Sequence, residues 1–333
     1  MKNLMIPALA LFLSAAAQAD DSPLWMRYCA ISPDGQTIAF SYQGDIYTVP
    51  SSGGKARQLT THPAHDTRPV WSPDGQKIAF ASNRSGNFDV FLMNKEGGEP
   101  KRLTTHSTNE YPTTFKDNGH ILYLANILQD AKDIQFPGTR FMQVYEISTD
   151  GGRPDLYSSL YMENIALSKD GSKLLYNDYK GYEDPWRKHH QSSITRDIWL
   201  CTLGKDRSFQ KVTTFGGEDR NPVWAADGAS FYYLSEEKGS FNIFKKDLAG
   251  NSEKQITTHT THPVRFLTSD NSGTLCYSYD GEIYTVKEGQ KPAKVNIQIV
   301  ADKIENDLYL TGRDSDIFHF CISFHLSLSL IHI

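Results

Sequence analysis

The sequence predicts an all-β chain folded as a six-bladed β-propeller of four-stranded antiparallel blades. Three observations carry that expectation. A short turn built on Asp and Gly recurs six times. An apolar strand follows each turn. A polar–aliphatic–aromatic triplet follows each strand at a comparable distance.

The turn is plainest in the first two copies, where "ISPDGQTIAF" (31–40) and "WSPDGQKIAF" (71–80) agree at eight of ten positions. The six turns are "SPDG" at Ser32, "SPDG" at Ser72, "KDNG" at Lys116, "SKDG" at Ser168, "AADG" at Ala225 and "SDNSG" at Ser269. Their aspartates, Asp34, Asp74, Asp117, Asp170, Asp227 and Asp270, lie 40, 43, 53, 57 and 43 residues apart. A tight hairpin needs a residue that tolerates a left-handed backbone, which explains why Gly returns.

The strands come in order. "TIAFSY", "KIAFAS", "HILYLA", "KLLYND", "SFYYLS" and "TLCYSY" succeed the six turns. The triplets are Asp45-Ile46-Tyr47, Asp89-Val90-Phe91, Gln143-Val144-Tyr145, Asp197-Ile198-Trp199, Asn242-Ile243-Phe244 and Glu282-Ile283-Tyr284. A Gly-containing turn and an outer strand such as "ARQLTTH" or "KRLTTH" close most units. Four short strands per period of this length are the mark of a propeller blade. A blade buries its faces only against its neighbours, so each copy presents similar residues at similar positions. An immunoglobulin-type sandwich also has many short strands but no reason to repeat one turn six times. With no spare strand evident at either end, closure is expected by side-chain packing between blades one and six.

The distance from turn Asp to triplet is 11, 15, 26, 27, 15 and 12 residues. Blades three and four therefore carry long loops between their second and third strands, "NILQDAKDIQFPGTRF" and "NDYKGYEDPWRKHHQSSITR". In a four-stranded blade those loops share a face with the connections leaving the fourth strand, "TTHPAHD", "TTHSTNE", "TTFGGED" and "TTHTTHP". The Asp-Gly turns fall on the opposite face.

Composition bounds the function. The chain has 333 residues, 39% hydrophobic and 22% charged, with a net charge of −5. No basic stripe supports nucleic-acid binding. Residues 1–19 read as a signal peptide: Lys2, an apolar run from Leu4 to Ala17, and the small-residue site Ala17-Gln18-Ala19. Export to the periplasm with cleavage near Ala19 is the expectation, and no later apolar run suggests a membrane span. Cys29, Cys201, Cys276 and Cys321 have no metal-ligand spacing and read as buried apolar residues.

The "SPDGxxIAF" repeats resemble WD-like repeats of the Tol-Pal propeller protein and of several exported peptidases. Three features are more specific: the opening "LWMRYCAISPDGQTIAFSYQGDIYTVPSSGGKARQLTTH", the blade-four loop "YEDPWRKHHQSSITRDIWL", and a leader with almost nothing before blade one. Together they resemble the N-terminal six-bladed propeller of bacterial tricorn-type serine peptidases, from Trp25 to about Ile299. In that family the resemblance implies a second propeller, a PDZ-like module and a peptidase core downstream, with proteolysis in the intact protein. The domain reading is thus a leader (1–19), the propeller (20–300), the start of a further module (301–312), and an irregular or artefactual tail (313–333).

No catalytic residues are assigned. GxSxG, Walker and HExxH motifs are absent, and no triad stands out by spacing. No cofactor and no metal are expected; His189 and His190 near Glu183 and Asp184 read as a solvated loop. His62, His106 and His259 read as strand terminators bonding local backbone. The candidate binding residues are Arg187, Lys188, His189, His190 and Arg196, a cationic cluster suited to a peptide carboxylate. The expected partners are peptides or unfolded protein segments, with homo-oligomerisation expected of the intact protein. The expected function is a non-catalytic gating or peptide-binding propeller of an exported peptidase. The alternative is a Tol-Pal-type interaction propeller, which normally carries an α/β domain ahead of the blades; about five residues separate the cleavage site from Trp25. A prolyl-oligopeptidase-like propeller is a third class, distinguished by an α/β-hydrolase domain downstream of residue 312.

Overall fold

A computed structural model describes residues 23–127, 142–181, 191–250 and 252–300. The described residues are all-β, in six four-stranded antiparallel sheets. Strand order within each sheet follows the chain. The innermost strands are Arg27–Ile31, Asp66–Trp71, Glu110–Asp117, Met162–Leu167, Asp219–Trp224 and Arg265–Ser269. The sequence's propeller of six blades is what forms.

The triplets explain the packing. Strand side chains alternate between faces, so the middle and last residues of a triplet enter different seams. Ile46 packs with Trp71, Phe80 and Phe91 between blades one and two, whereas Tyr47 packs with Met26, Cys276 and Ile283 between blades six and one. Val90 and Phe91 divide in the same way, as do the other four pairs, giving one apolar cluster per seam. All six triplet aliphatics are fully buried. Among the aromatics, Tyr47, Phe91, Tyr145 and Phe244 are buried, while Trp199 and Tyr284 are half-buried. Each pairs with an aromatic directly across the ladder: Phe40 with Tyr47, Phe80 with Phe91, Tyr123 with Tyr145, Tyr176 with Trp199, Tyr233 with Phe244 and Tyr277 with Tyr284. Such directly opposed aromatic pairs stabilise antiparallel sheets.

The repeated Thr of the outer strand has a separate role. Thr60, Thr104, Thr213 and Thr257 each accept, at 2.9–3.0 Å, the backbone N–H of the triplet aliphatic, Ile46, Val90, Ile198 or Ile243. Thr60 and Thr257 also donate to Asp45 and Asn242, the polar leaders of their triplets. The hydroxyl thus replaces a ladder bond where the outer strand ends. The three described cysteines are free and buried.

Closure differs from the expectation of side-chain packing alone. Ile297–Gln298 pairs in parallel with Gly54–Lys55 of blade one. Gly54 N–H donates to Asn296 O, and Ala56 N–H to Gln298 O, each at 2.8 Å. Met26 N–H also bonds Gly281 O on blade six at 3.0 Å. The segment "KPAKVNIQI" supplies both blade six's outer edge, Ala293–Lys294, and this clasp. Gly53 makes the approach feasible, because a Cβ there would lie 2.7 Å from Asn296 O.

Candidate functional site in the central channel

The two faces divide as strand order predicts. In blades one, two, four and five the second-to-third turn bonds the connection entering the next blade: Gly44 O to Asp66 N–H, Phe88 O to Glu110 N–H, Arg196 O to Asp219 N–H and Phe241 O to Val264 N–H, at 2.7–3.0 Å. The Asp-Gly turns meet one another on the other face, with Asn271 N–H on Pro33 O at 3.0 Å and Asp74 N–H on Asn118 Oδ1 at 3.1 Å. Asp34, Asp74 and Asp170 accept from neighbouring Ser hydroxyls and backbone N–H groups, which holds their carboxyls below the usual range.

A channel of about 1220 Å³ runs between the innermost strands. Its wall is shaped by a register shift in every innermost strand. In five of them a non-glycine residue sits there in the left-handed region: Tyr28 (φ 52°), Arg68 (56°), Asn164 (50°), Asn221 (57°) and Phe266 (56°). Bulges re-aim side chains, and left-handed backbone at non-glycine residues is costly and gathers at functional sites. Pro69, Pro112 and Pro222 lie at the bulges of blades two, three and five. Proline is tolerated because these are edge strands facing the channel.

The lining divides into two halves. Across blades six, one, two and three it carries an aromatic and cationic row, with Asp117 and Asp270 at the Asp-Gly turns. Phe266 leans on Tyr28 (centroids 4.5 Å), and Arg68 lies over Tyr28 (5.3 Å) and Tyr111 (4.3 Å). Across blades four and five it is ionic and buried. Arg196 Nε bonds Glu163 Oε2 at 2.8 Å and Arg196 Nη1 bonds Glu218 Oε1 at 3.0 Å. Arg220 reaches Glu218 at 3.3 Å and lies over Phe241 at 4.1 Å. Asn177 joins Glu163 to Asn164.

Arg187, Lys188, His189 and His190 lie outside the described residues, as do Glu183 and Asp184, the 1–19 leader, and residues 301–333. Arg196 is described, and it is 5% exposed with its guanidinium taken up by two carboxylates. It anchors the foot of the blade-four loop instead of presenting a solvent-facing cation. Of the recurrent histidines, His62 accepts from Ala64 N–H and His106 from Thr108 N–H, which is the local backbone role expected. His259 differs: it stacks on Tyr279 at 3.8 Å and bonds the Tyr277 hydroxyl at 2.9 Å, and burial pushes its pKa down. No group of three His, Cys, Asp or Glu arranged to hold a metal occurs among the described residues.

Sequence reading missed a set of buried carboxyls. Asp66, Glu110 and Asp219, at most 1% exposed, stand at the ends of the connections that begin "TTHPAHD", "TTHSTNE" and "TTFGGED". Their common place in the repeat was the available signal. Asp66 pairs with Arg84 at 2.7 Å. Burial pushes Asp219 up to about 7 and drives Glu110, which faces buried Asp89, in the same direction.

The tricorn protease N-terminal beta propeller domain family matches residues 23–292. The chain belongs to that family. This tricorn-type propeller is 23% identical over 287 residues to a tricorn protease homolog of Saccharolobus solfataricus, covering 84% of this chain and 25% of that protein. It is 24% identical over 294 residues to tricorn protease homolog 1 of Streptomyces coelicolor, covering 86% and 26%. The chain therefore spans about a quarter of the length of these relatives. The fold is shared with the crystal structure of the tricorn protease (TM-score 0.67, 22% identity, 82% of this chain and 26% of that one). It is also shared with TolB from Acinetobacter baumannii (TM-score 0.58, 13% identity, 82% and 66%). The likeness to these two structures is one of propeller fold.

Proposed function

We propose that this propeller admits or holds peptides for an exported tricorn-like serine peptidase, without catalysing cleavage itself. The observation that carries the reading is the channel: a cavity of about 1220 Å³ lined by six bulged strands, with an aromatic and cationic row on one side and buried ion pairs on the other. An unfolded segment offers backbone, apolar and charged groups, and such a wall has a counterpart for each. The family match over nearly the whole propeller favours this over the TolB-type docking reading, whose 43% identity with a TolB homolog of Chlorobium luteolum extends over 56 residues. Arg187, Lys188, His189 and His190 are proposed to attract the carboxylates of the bound peptide, whereas Arg196 is bonded to Glu163 and Glu218.

The test is binding of short unstructured peptides to the purified chain, comparing wild type with Arg187→Ala/Lys188→Ala at two salt concentrations. The proposal expects binding without hydrolysis, and weaker, less salt-dependent binding of acidic peptides by the variant. Absence of binding by any peptide overturns the peptide-handling reading. Export is tested separately, by finding the chain in the periplasm shortened by about nineteen residues.

A further inference from the structure

We infer that Arg68 is a carboxylate-binding site on the channel wall, clamped for that purpose between Tyr28 and Tyr111. The inference rests on the peptide-handling reading above and deepens it, by naming a chemical group and the residue that takes it.

The contrast among arginines carries the inference. Arg84 is bonded to Asp66, Arg102 to Asp89, and Arg196 and Arg220 to Glu218. Each of those cations is neutralised in place. The Arg68 side chain makes no hydrogen bond or ion pair among the described residues, and its guanidinium lies over two tyrosine rings. It is half-buried and lines the channel.

The clamp is itself supported. Tyr28 leans on Phe266 and Tyr111 on Phe88, with centroids 4.5 and 5.4 Å apart, so an aromatic row extends from blade six to blade three with the guanidinium inside it. Arg68 is held at φ 56°, immediately before Pro69. The same bulge recurs in four other blades, so the repeat supplies the position, and in blade two it holds a cation beside two rings with no internal salt bridge.

Cation–π attraction acts on the charge of a guanidinium and supplies no acceptor for its five N–H donors. An arginine held beside two rings and bonded to no acceptor keeps its donor fork for a planar, two-oxygen acceptor, and little side-chain freedom is lost when that acceptor arrives. The matching group is a carboxylate, from either a peptide C-terminus or an Asp or Glu side chain.

The experiment uses the full chain and three N-acetylated tetrapeptides. One ends in a free carboxylate, the second is its C-terminal amide, and the third is an amide with one internal Glu. Benzoate serves as a probe independent of peptides. For the wild type, at least one carboxylate-bearing peptide should bind about tenfold more tightly than the plain amide. Arg68→Met should abolish that difference. Arg68→Lys should retain part of it, since charge stays and the fork is lost. Tyr111→Phe should bind like wild type and Tyr111→Leu more weakly. The three peptides separate the two carboxylate sources. If wild type binds the amide and the acids equally, or if Arg68→Met binds them all as wild type does, the site is overturned and peptide handling stands. If no peptide binds but benzoate does in an Arg68-dependent way, the site stands and peptide handling falls. If neither peptides nor benzoate bind, the site is overturned. Thermal midpoints are measured throughout, and salt titration of the wild type gives a reading that needs no variant: the acid-over-amide preference should shrink as salt rises.

Discussion

The indole N–H of Trp71, on the first strand of blade two, donates to the carbonyl oxygen of Ala30 on the first strand of blade one at 2.9 Å. Trp224 makes the same bond to Ala166 across the seam between blades four and five, also at 2.9 Å. The seams are therefore tied by directional bonds as well as filled by apolar contact. Trp71→Phe should cost about 1–2 kcal/mol, because it leaves a carbonyl oxygen without its donor. Phe91→Ala, which empties a buried ring site in the same seam, should cost about 3–5 kcal/mol. Urea unfolding of both variants checks the order; a smaller loss for Phe91→Ala than for Trp71→Phe contradicts this account of the seam.

Arg196→Met should destabilise the propeller through the carboxylates it leaves behind. Breaking a buried pair typically costs about 3–5 kcal/mol. Here Glu218 keeps Arg220, and Glu163 keeps Tyr161 and Asn177. The expected loss is therefore lower, about 2–3 kcal/mol. Arg196→Met combined with Glu163→Gln should recover part of it. A double variant no more stable than Arg196→Met alone would show that the guanidinium acts by packing.

Stability should fall as pH rises from about 4 to about 7. Asp219 is held protonated in the folded chain up to about 7, because burial disfavours its charge, whereas in the unfolded chain it ionises near 3.8. Between those values the folded state binds more protons, so unfolding becomes easier with rising pH, by at most about 1.4 kcal/mol per unit from this group. Glu110 acts in the same direction. Below about 4 both forms of Asp219 are protonated and its contribution is complete. Denaturant midpoints across this range, for wild type and Asp219→Asn, test the assignment: the asparagine variant should show a shallower decline, and an unchanged slope would clear Asp219 of the effect.

Gly53→Ala should loosen the ring closure. The new Cβ would stand 2.7 Å from Asn296 O, and φ at Gly53 is +90°. Loss of about 1–3 kcal/mol is expected, concentrated at the clasp. Hydrogen exchange should show faster exchange at Gly54 and Ala56, whose N–H groups bond Asn296 and Gln298. Protection there equal to wild type would mean that the clasp accommodates the methyl.

The sequence by itself determined the architecture. Six turns, six apolar strands and six triplets demand the same neighbour on both sides, and a closed ring of blades supplies it. It also determined the faces, since strand order alone separates the Asp-Gly turns from the long loops. Only the tertiary structure decided the rest. Ile297–Gln298 carries no sign of pairing with Gly54–Lys55, because a contact between the two ends of a ring leaves no local pattern. Arg196 and Arg68 reverse the expectation from charge: the arginine beside the cationic loop is neutralised by Glu163 and Glu218, and the one on the innermost strand of blade two keeps its donors free among the described residues. A cation's availability depends on which carboxylates the neighbouring blades bring within about 3 Å, and that is a property of packing between blades, not of spacing along the chain.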